Sequence, residues 1–343
     1  MISFSSAFIC ENLRPNNKKE EMKMMKKTLK VLFFSALVLM LSMPVWAKEK
    51  YPDRPIDFIC TWGVGGGADQ MARTIGRLAE KKLGVALPVS NIPGASGNTG
   101  MANLIAGKAD GYTIATYIAD TLGTISAGTA RHKITDFEWI VRTQVAQSYL
   151  FVKMDSPFKT IQDLLNYAKE NPGKLKVAAT GFGTVDDITV RYLASKGYKM
   201  TTIPIPQPGE RYANALGGHS EVLYEQAGDM KQYLDAKQLR PLIIFANKRL
   251  AAFPDVPCSK ELGFDITLPQ FRSIVTKKGV LAERLKILAD AFKKAMETPE
   301  WKKFGEEQYL DPESYMGSDE FPKWITGEVE TMRKFMKTFG MVK

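Results

Sequence analysis

Two glycine-rich turns lie close together in this chain and constrain its fold more than any other feature. The first is Thr61-Trp62-Gly63-Val64-Gly65-Gly66-Gly67-Ala68-Asp69, and the second is Asn91-Ile92-Pro93-Gly94-Ala95-Ser96-Gly97-Asn98-Thr99-Gly100. Each follows an apolar stretch and runs into a helical pattern. Glycine lets main chain come close to a ligand, and a helix start points unpaired N–H groups outward. Two such turns facing each other would form an anion pocket built from backbone rather than from charged side chains.

Residues 1–47 read as an export signal. Lys23, Lys26, Lys27 and Lys30 form a basic segment, Val31 to Met43 is apolar apart from Ser35, Ala36 and Ser42, and Val45-Trp46-Ala47 resembles a cleavage site. The expected mature start is Lys48. The apolar run falls short of the roughly 20 residues that span a bilayer, and an uncleaved anchor is the competing reading. The stretch before Met24 is unlike such a leader, which points to Met24 or Met25 as the true start. No cysteine follows at the processing site, so a lipid anchor is not indicated.

The remainder exceeds one typical core and calls for two lobes. The leader holds seven of the 47 Lys and Arg and three of the 37 Asp and Glu, leaving about +6 on residues 48–343. That charge is spread without blocks, which argues against nucleic-acid binding. Cys60 and Cys258 are too few and too far apart in sequence for a disulfide framework, and Cys60 reads as a small buried hydrophobe.

From Tyr51 onward short apolar runs alternate with helical patterns. Strands are expected at 56–60, 87–89 and 112–118, with helices at 68–82, stopped by Gly84, and from Met101 to Gly107. After a strand at 149–153, Thr160 and Asp163 look like a helix cap and its acidic partner, opening a helix that Pro172-Gly173 closes. A strand at 175–179 leads to a third glycine turn, Thr180-Gly181-Phe182-Gly183-Thr184. Helices at 188–196, 211–216 and 229–236 then alternate with strands at 201–205, 221–224 and 242–246, and the remainder is chiefly helical: 282–296, 300–308 and 319–339. The order implies an α/β protein of two lobes, 48–150 with 265–343 and 151–264, each a mostly parallel sheet flanked by helices. Ligands of such sheets bind beyond the carboxyl ends of the strands, which would place all three turns at one cleft.

Catalysis finds little support. Gly63 to Ala68 fits the G-x-G-x-x-A dinucleotide fingerprint, but the acidic residue expected about 20 positions on is replaced by Ser90 and Asn91. His132 and His219 both read as surface loop residues with no nucleophile nearby, and no spacing suggests a metal site or a cofactor. Asp69 and the pair Asp186-Asp187 read as acids complementing helix starts.

Tyr51-Pro52-Asp53-Arg54-Pro55-Ile56, the Trp62–Asp69 turn, Asn91 through Asn98, Asp110-Gly111-Tyr112-Thr113, Asn171-Pro172-Gly173-Lys174-Leu175 and Phe253-Pro254-Asp255-Val256-Pro257 occur in order. Together they resemble the Bug-type extracytoplasmic solute receptors of tripartite tricarboxylate transporters, over essentially all of residues 48–343. The resemblance implies a type II periplasmic binding protein, non-enzymatic, that closes on a carboxylated solute and serves one large and one small membrane permease subunit. It also implies a first-lobe site of Trp62, Gly65, Gly66, Gly67 and Asp69 with Gly94, Ala95, Ser96 and Asn98, and a distal site at Gly181, Gly183, Thr184 and Glu225. The distal loops depart from the family pattern: Thr184-Val185-Asp186-Asp187, Glu225-Gln226-Ala227-Gly228 and Ile205-Pro206-Gln207-Pro208-Gly209 stand where other residues are usual. Extra carboxylates there disfavour a second anionic group, so the expected solute has one carboxylate and a neutral or donor-rich far end. A receptor of the same fold serving a signalling kinase is the alternative.

Overall fold

The computed structural model describes residues 16–41 and 50–342. It divides into two compact units, one within Met1–Lys50 and one comprising Tyr51–Lys343. The first contains helix α1 (Asn16–Leu41). Among the described residues no helix is long and apolar enough to cross a membrane. The expected cleavage site at Val45-Trp46-Ala47 lies outside the described residues.

In the second unit the chain first lays down β1 (Asp57–Cys60), α2 (Gly67–Leu83), β2 (Val89–Asn91), α3 (Asn98–Ala106), β3 (Thr113–Ile118) and α4 (Ala119–Ser126). Met71, Ile75, Leu78 and Ala79 bury one face of α2, and Gly84 ends it in the left-handed conformation with its N–H on the Glu80 carbonyl. β4 (Phe137–Ala146) and β5 (Ser148–Lys153) follow with one residue between them. Then come α5 (Ile161–Glu170), β6 (Lys176–Ala179), α6 (Val185–Ser195), β7 (Thr201–Pro204), α7 (Pro208–Leu216), β8 (Val222–Gln226), α8 (Lys231–Asp235) and β9 (Leu239–Ile244). The chain ends with β10 (Gln270–Lys277), α9 (Ala282–Met296), α10 (Pro299–Glu307), β11 (Met316–Gly317) and α11 (Phe321–Thr338). At α5 the expected cap is present: the Thr160 hydroxyl accepts from the Asp163 N–H, and Asp163 accepts from the Thr160 N–H in return.

These strands form two sheets, ordered β11-β4-β10-β3-β1-β2 and β7-β6-β8-β5-β9. The two-lobed α/β architecture is therefore as expected, but the sheets are mixed rather than mostly parallel. β2, β1 and β3 are parallel, while β10 inserts antiparallel between β3 and β4. In the second sheet β7, β6 and β8 are parallel and β5 is antiparallel to both β8 and β9. The chain passes between the sheets twice, from β4 to β5 over the single residue Gln147 and back from β9 to β10 over residues 245–269. Parallel neighbours arise from crossovers within one sheet, as among β1–β3 and β6–β8, whereas β5 and β10 each enter their sheet from the other one and run antiparallel to their neighbours.

β4, α4 and β10 are absent from the sequence reading, which leaves 119–148 unassigned and expects chiefly helix after Ala246. β10 (Gln-Phe-Arg-Ser-Ile-Val-Thr-Lys) shows no period-two alternation because both of its faces are covered. Its polar residues are buried and hydrogen-bonded: Ser273 donates to the Tyr117 carbonyl and Thr276 to that of Thr113. His132 is also a correction. It is buried, against the Tyr117 and Phe137 rings at 6.0 and 5.3 Å, and burial lowers its pKa. His219 is exposed, as expected.

One core, with Phe58, Ile75, Leu288 and Phe292, lies on the side of the first sheet covered by α2 and α9. A second, with Tyr117, Leu122, Phe271, Phe321 and Met336, continues into Leu150, Val177 and Tyr224 of the second sheet. Cys60 and Cys258 are free and buried, and burial pushes the Cys60 thiol up to about 11, so it stays protonated and inert.

Candidate functional site

The first turn ends where α2 begins. Gly65 holds φ +82° and donates its N–H to Asp69 at 3.0 Å; Asp69 also accepts from Arg73 and Asn91. These bonds hold the Asp69 carboxylate below its usual pKa despite the opposing effect of burial. Asp69 thus staples the turn. Gly66, Gly67 and Ala68 face a cavity of about 40 Å³, little more than one water, between the two sheets. The first amides of a helix have no partner within it, so this wall of the cavity is electropositive.

The approach across the cavity is close. A Cβ on Gly66 would lie 2.7 Å from Pro208 of α7, and one on Gly67 would lie 2.2 Å from Asp229 Oδ1. Arg272 on β10 reaches across to Asp229, after β8, at 2.5 Å, to Gln226 at 3.2 Å, and to Gln144 on its own sheet at 3.1 Å. Asp120, at the start of α4, accepts from the Val185 N–H of α6 at 3.1 Å and from Gln270 at 2.9 Å. On the far wall Arg211 pairs with Glu225 at 2.7 Å, both nearly buried. Asp186 accepts from the Thr180 and Asp187 N–H groups and shares a further hydrogen bond with the Thr184 hydroxyl.

Burial governs the titration of this cluster. It pushes Asp186 up to about 8, helped by the neighbouring Asp120 charge. It raises Asp120 to about 6, against the hydrogen bonds from Val185 and Gln270, and Asp229 to about 6, against the pull of Arg272. Burial works against the Arg211 charge too, but Glu225 more than offsets it and the Arg211 pKa rises. Four buried donors around the cavity have no partner: Trp62 Nε1, Arg211 Nε, Arg272 Nε and the Tyr212 hydroxyl.

Of the sequence-derived site residues, Trp62, Gly66, Gly67 and Glu225 line this cavity. Gly65 and Asp69 shape the turn behind it. No residue of the second turn lines it; Gly97 lies against Trp62, and a Cβ there would be 3.3 Å from Trp62 Nε1 and 2.5 Å from the unpartnered Thr121 hydroxyl. Gly94, Ala95, Ser96 and Gly97 all hold positive φ. Ala95, Ser96 and Asn98 line a separate, open groove of about 640 Å³ with Phe182 and Arg131. In the third turn Thr180 lines the cavity, Gly183 abuts Gly123 of α4, and Thr184 donates to the Gly181 carbonyl at 2.5 Å.

Sequence reasoning missed Asp120, Arg211, Asp229, Gln270 and Arg272, and read Asp186 only as a helix-start acid. The one available signal was Arg272 within an apolar run, a charge that needs a buried partner. Among the described residues no cluster of His, Cys, Asp and Glu could hold a metal ion.

Two α/β sheets joined by two strand passages, with a polar cavity between them, define a periplasmic-binding-protein architecture. Residues 71–341 match the profile of the TctC family, described as the tripartite tricarboxylate transporter family receptor, and the chain belongs to that family. A Cupriavidus necator relative, the UPF0065 protein in the gbd 5' region, is 32% identical over 310 residues, spanning 88% of this chain and 93% of the relative. A solved structure described as a periplasmic transporter superposes with TM-score 0.79 at 24% identity, covering 85% of this chain and 99% of that one. The R. palustris protein Rpa4515, solved with adipate, gives 0.78 at 20% identity over 85% and 99%. The family is one of solute-binding receptors, not enzymes.

Proposed function

We propose that the chain captures a small carboxylated solute between its two sheets and delivers it to a membrane permease of one large and one small subunit. The observation that carries this reading is the set of unpartnered donors, Trp62 Nε1, Arg211 Nε, Arg272 Nε and the Tyr212 hydroxyl, around the start of α2. Buried donors without acceptors are costly, and a carboxylate supplies acceptors in the orientation a helix start favours. Adipate in the R. palustris structure supports a carboxylate as the ligand class. The solute has one carboxylate at Gly66, Gly67 and Ala68 and a neutral or donor-rich far end, because Asp120, Asp186, Glu225 and Asp229 line the rest of the wall.

In this reading the lobes, 48–150 with 265–343 and 151–264, open to admit the solute and close to exclude water, an equilibrium that the permease senses. Gly94, Ala95, Ser96 and Asn98 shape the proximal side through Gly97, and Gly181, Gly183, Thr184 and Glu225 the distal side. The protein acts as a periplasmic monomer released by cleavage before Lys48. A thermal-shift screen over mono-, di- and tricarboxylates, aromatic acids and amino acids tests the reading, since a ligand that binds the native state raises apparent stability. No shift with any of them refutes it.

A further inference from the structure

Resting on that reading, we infer that the solute carries an ammonium group next to its carboxylate, with Arg272 and the start of α2 taking the carboxylate and Asp229 the ammonium. The four carboxylates of the cavity wall have eight oxygens, and seven are engaged. Both oxygens of Asp120 accept, from Val185 and Gln270. Both oxygens of Asp186 are engaged, one by the Thr180 N–H and the other by the Thr184 hydroxyl and the Asp187 N–H. Both oxygens of Glu225 accept, from Arg211 and the Gln226 N–H. Asp229 Oδ2 is held by Arg272, and Asp229 Oδ1 alone has no partner. Arg272 Nε is likewise unpartnered, and the two residues are only 3% and 5% exposed.

A donor and an acceptor, both buried and both on residues that line one small cavity, belong to side chains already in contact. A plain carboxylate satisfies Arg272 Nε but leaves Asp229 Oδ1 bare and sets a second anion beside it. A dicarboxylate adds a further negative charge. The wall already carries four carboxyl groups against two guanidiniums, and with Asp186 held neutral at pH 7 by burial it stands one negative charge in excess. An ammonium offsets the charge that the solute's carboxylate brings, whereas a hydroxyl would donate a hydrogen bond but leave the imbalance buried. The position of Oδ1 fixes the spacing. It lies against Gly67, the same helix start that receives the carboxylate, so both groups must sit on the same or adjoining carbons.

Calorimetry on pairs differing only by the ammonium tests this: alanine with propanoate, aspartate with succinate, and 2-aminohexanoate with hexanoate, with 6-aminohexanoate and adipate as spacing controls. The inference expects the amino member of the tightest pair to bind at least tenfold better than its plain partner, and 2-aminohexanoate to exceed 6-aminohexanoate. In Asp229→Asn the ratio within that pair should fall at least tenfold; if the variant does not fold, the native pairs still decide. A plain acid that equals its amino partner, or an unchanged ratio in Asp229→Asn, overturns the inference. So does silence from every pair while another carboxylate binds, which leaves the receptor reading standing. Silence from all carboxylates removes both.

Discussion

Gly66→Ala separates closure from folding. Gly66 caps α2 at φ −78° and ψ 168°, an extended conformation that alanine adopts freely. An added Cβ would lie 2.7 Å from Pro208 Cγ and 3.3 Å from Pro208 Cβ, and its nearest neighbour on its own side is the Gly63 carbonyl at 3.7 Å. Ordinary contact begins at 3.4 Å, so the two walls must part by several tenths of an ångström. The proline ring is stiff and opens a helix, so it cannot swing aside as a long side chain would. Overpacking of this kind costs about 1–3 kcal/mol, felt only when the cleft is shut, which corresponds to about 5- to 150-fold weaker binding. The open form loses only cap preference, about 0.5–1 kcal/mol. Calorimetry with the tightest acid from the screen, paired with solution scattering, reads both effects. Affinity and compaction equal to the native protein would refute the reasoning.

Three further outcomes follow from the same structure. Asp186 is raised from 3.8 to about 8, so the folded state binds its proton more tightly and stability falls as pH rises between those values; the lowered His132 opposes this only below its ordinary 6.5, so thermal melts should show a net decline from about pH 6.5 to 8 that Asp186→Asn flattens. Arg211→Met strands Glu225 in the interior and should cost about 3–5 kcal/mol by urea unfolding, most of it recovered in the double variant with Glu225→Gln. Thr160→Ala removes the α5 cap and should cost about 1 kcal/mol in the same assay while leaving solute affinity unchanged.

The legible and illegible parts of this chain divide on physical lines. α2, the cap at Thr160 and the stop at Gly84 are local devices, each readable within a few residues. The first glycine turn was legible because its composition is a local signal, and the structure puts Gly66 and Gly67 on the cavity wall. β10 was hidden because a strand buried on both faces loses alternation, and the partner that its Arg272 needs, Asp229, comes from beyond another sheet's strand. Asp120 was hidden for the same reason: its partners are Val185 and Gln270, far along the chain. Asp186 and Asp187 are neighbours with opposite fates. Asp187 pairs with Arg191 and the Gly183 N–H as a helix-start acid should, while Asp186 turns into the cavity. No local pattern distinguishes them.

A crystal structure with the tightest-binding acid tests the central claim most directly. The account predicts its carboxylate on the first amides of α2, within hydrogen-bonding distance of Arg272, with the two walls shut around it. An acid held instead in the outer groove beside Ala95, Ser96 and Asn98, with the cavity at Gly67 still filled by Asp229 alone, would contradict it.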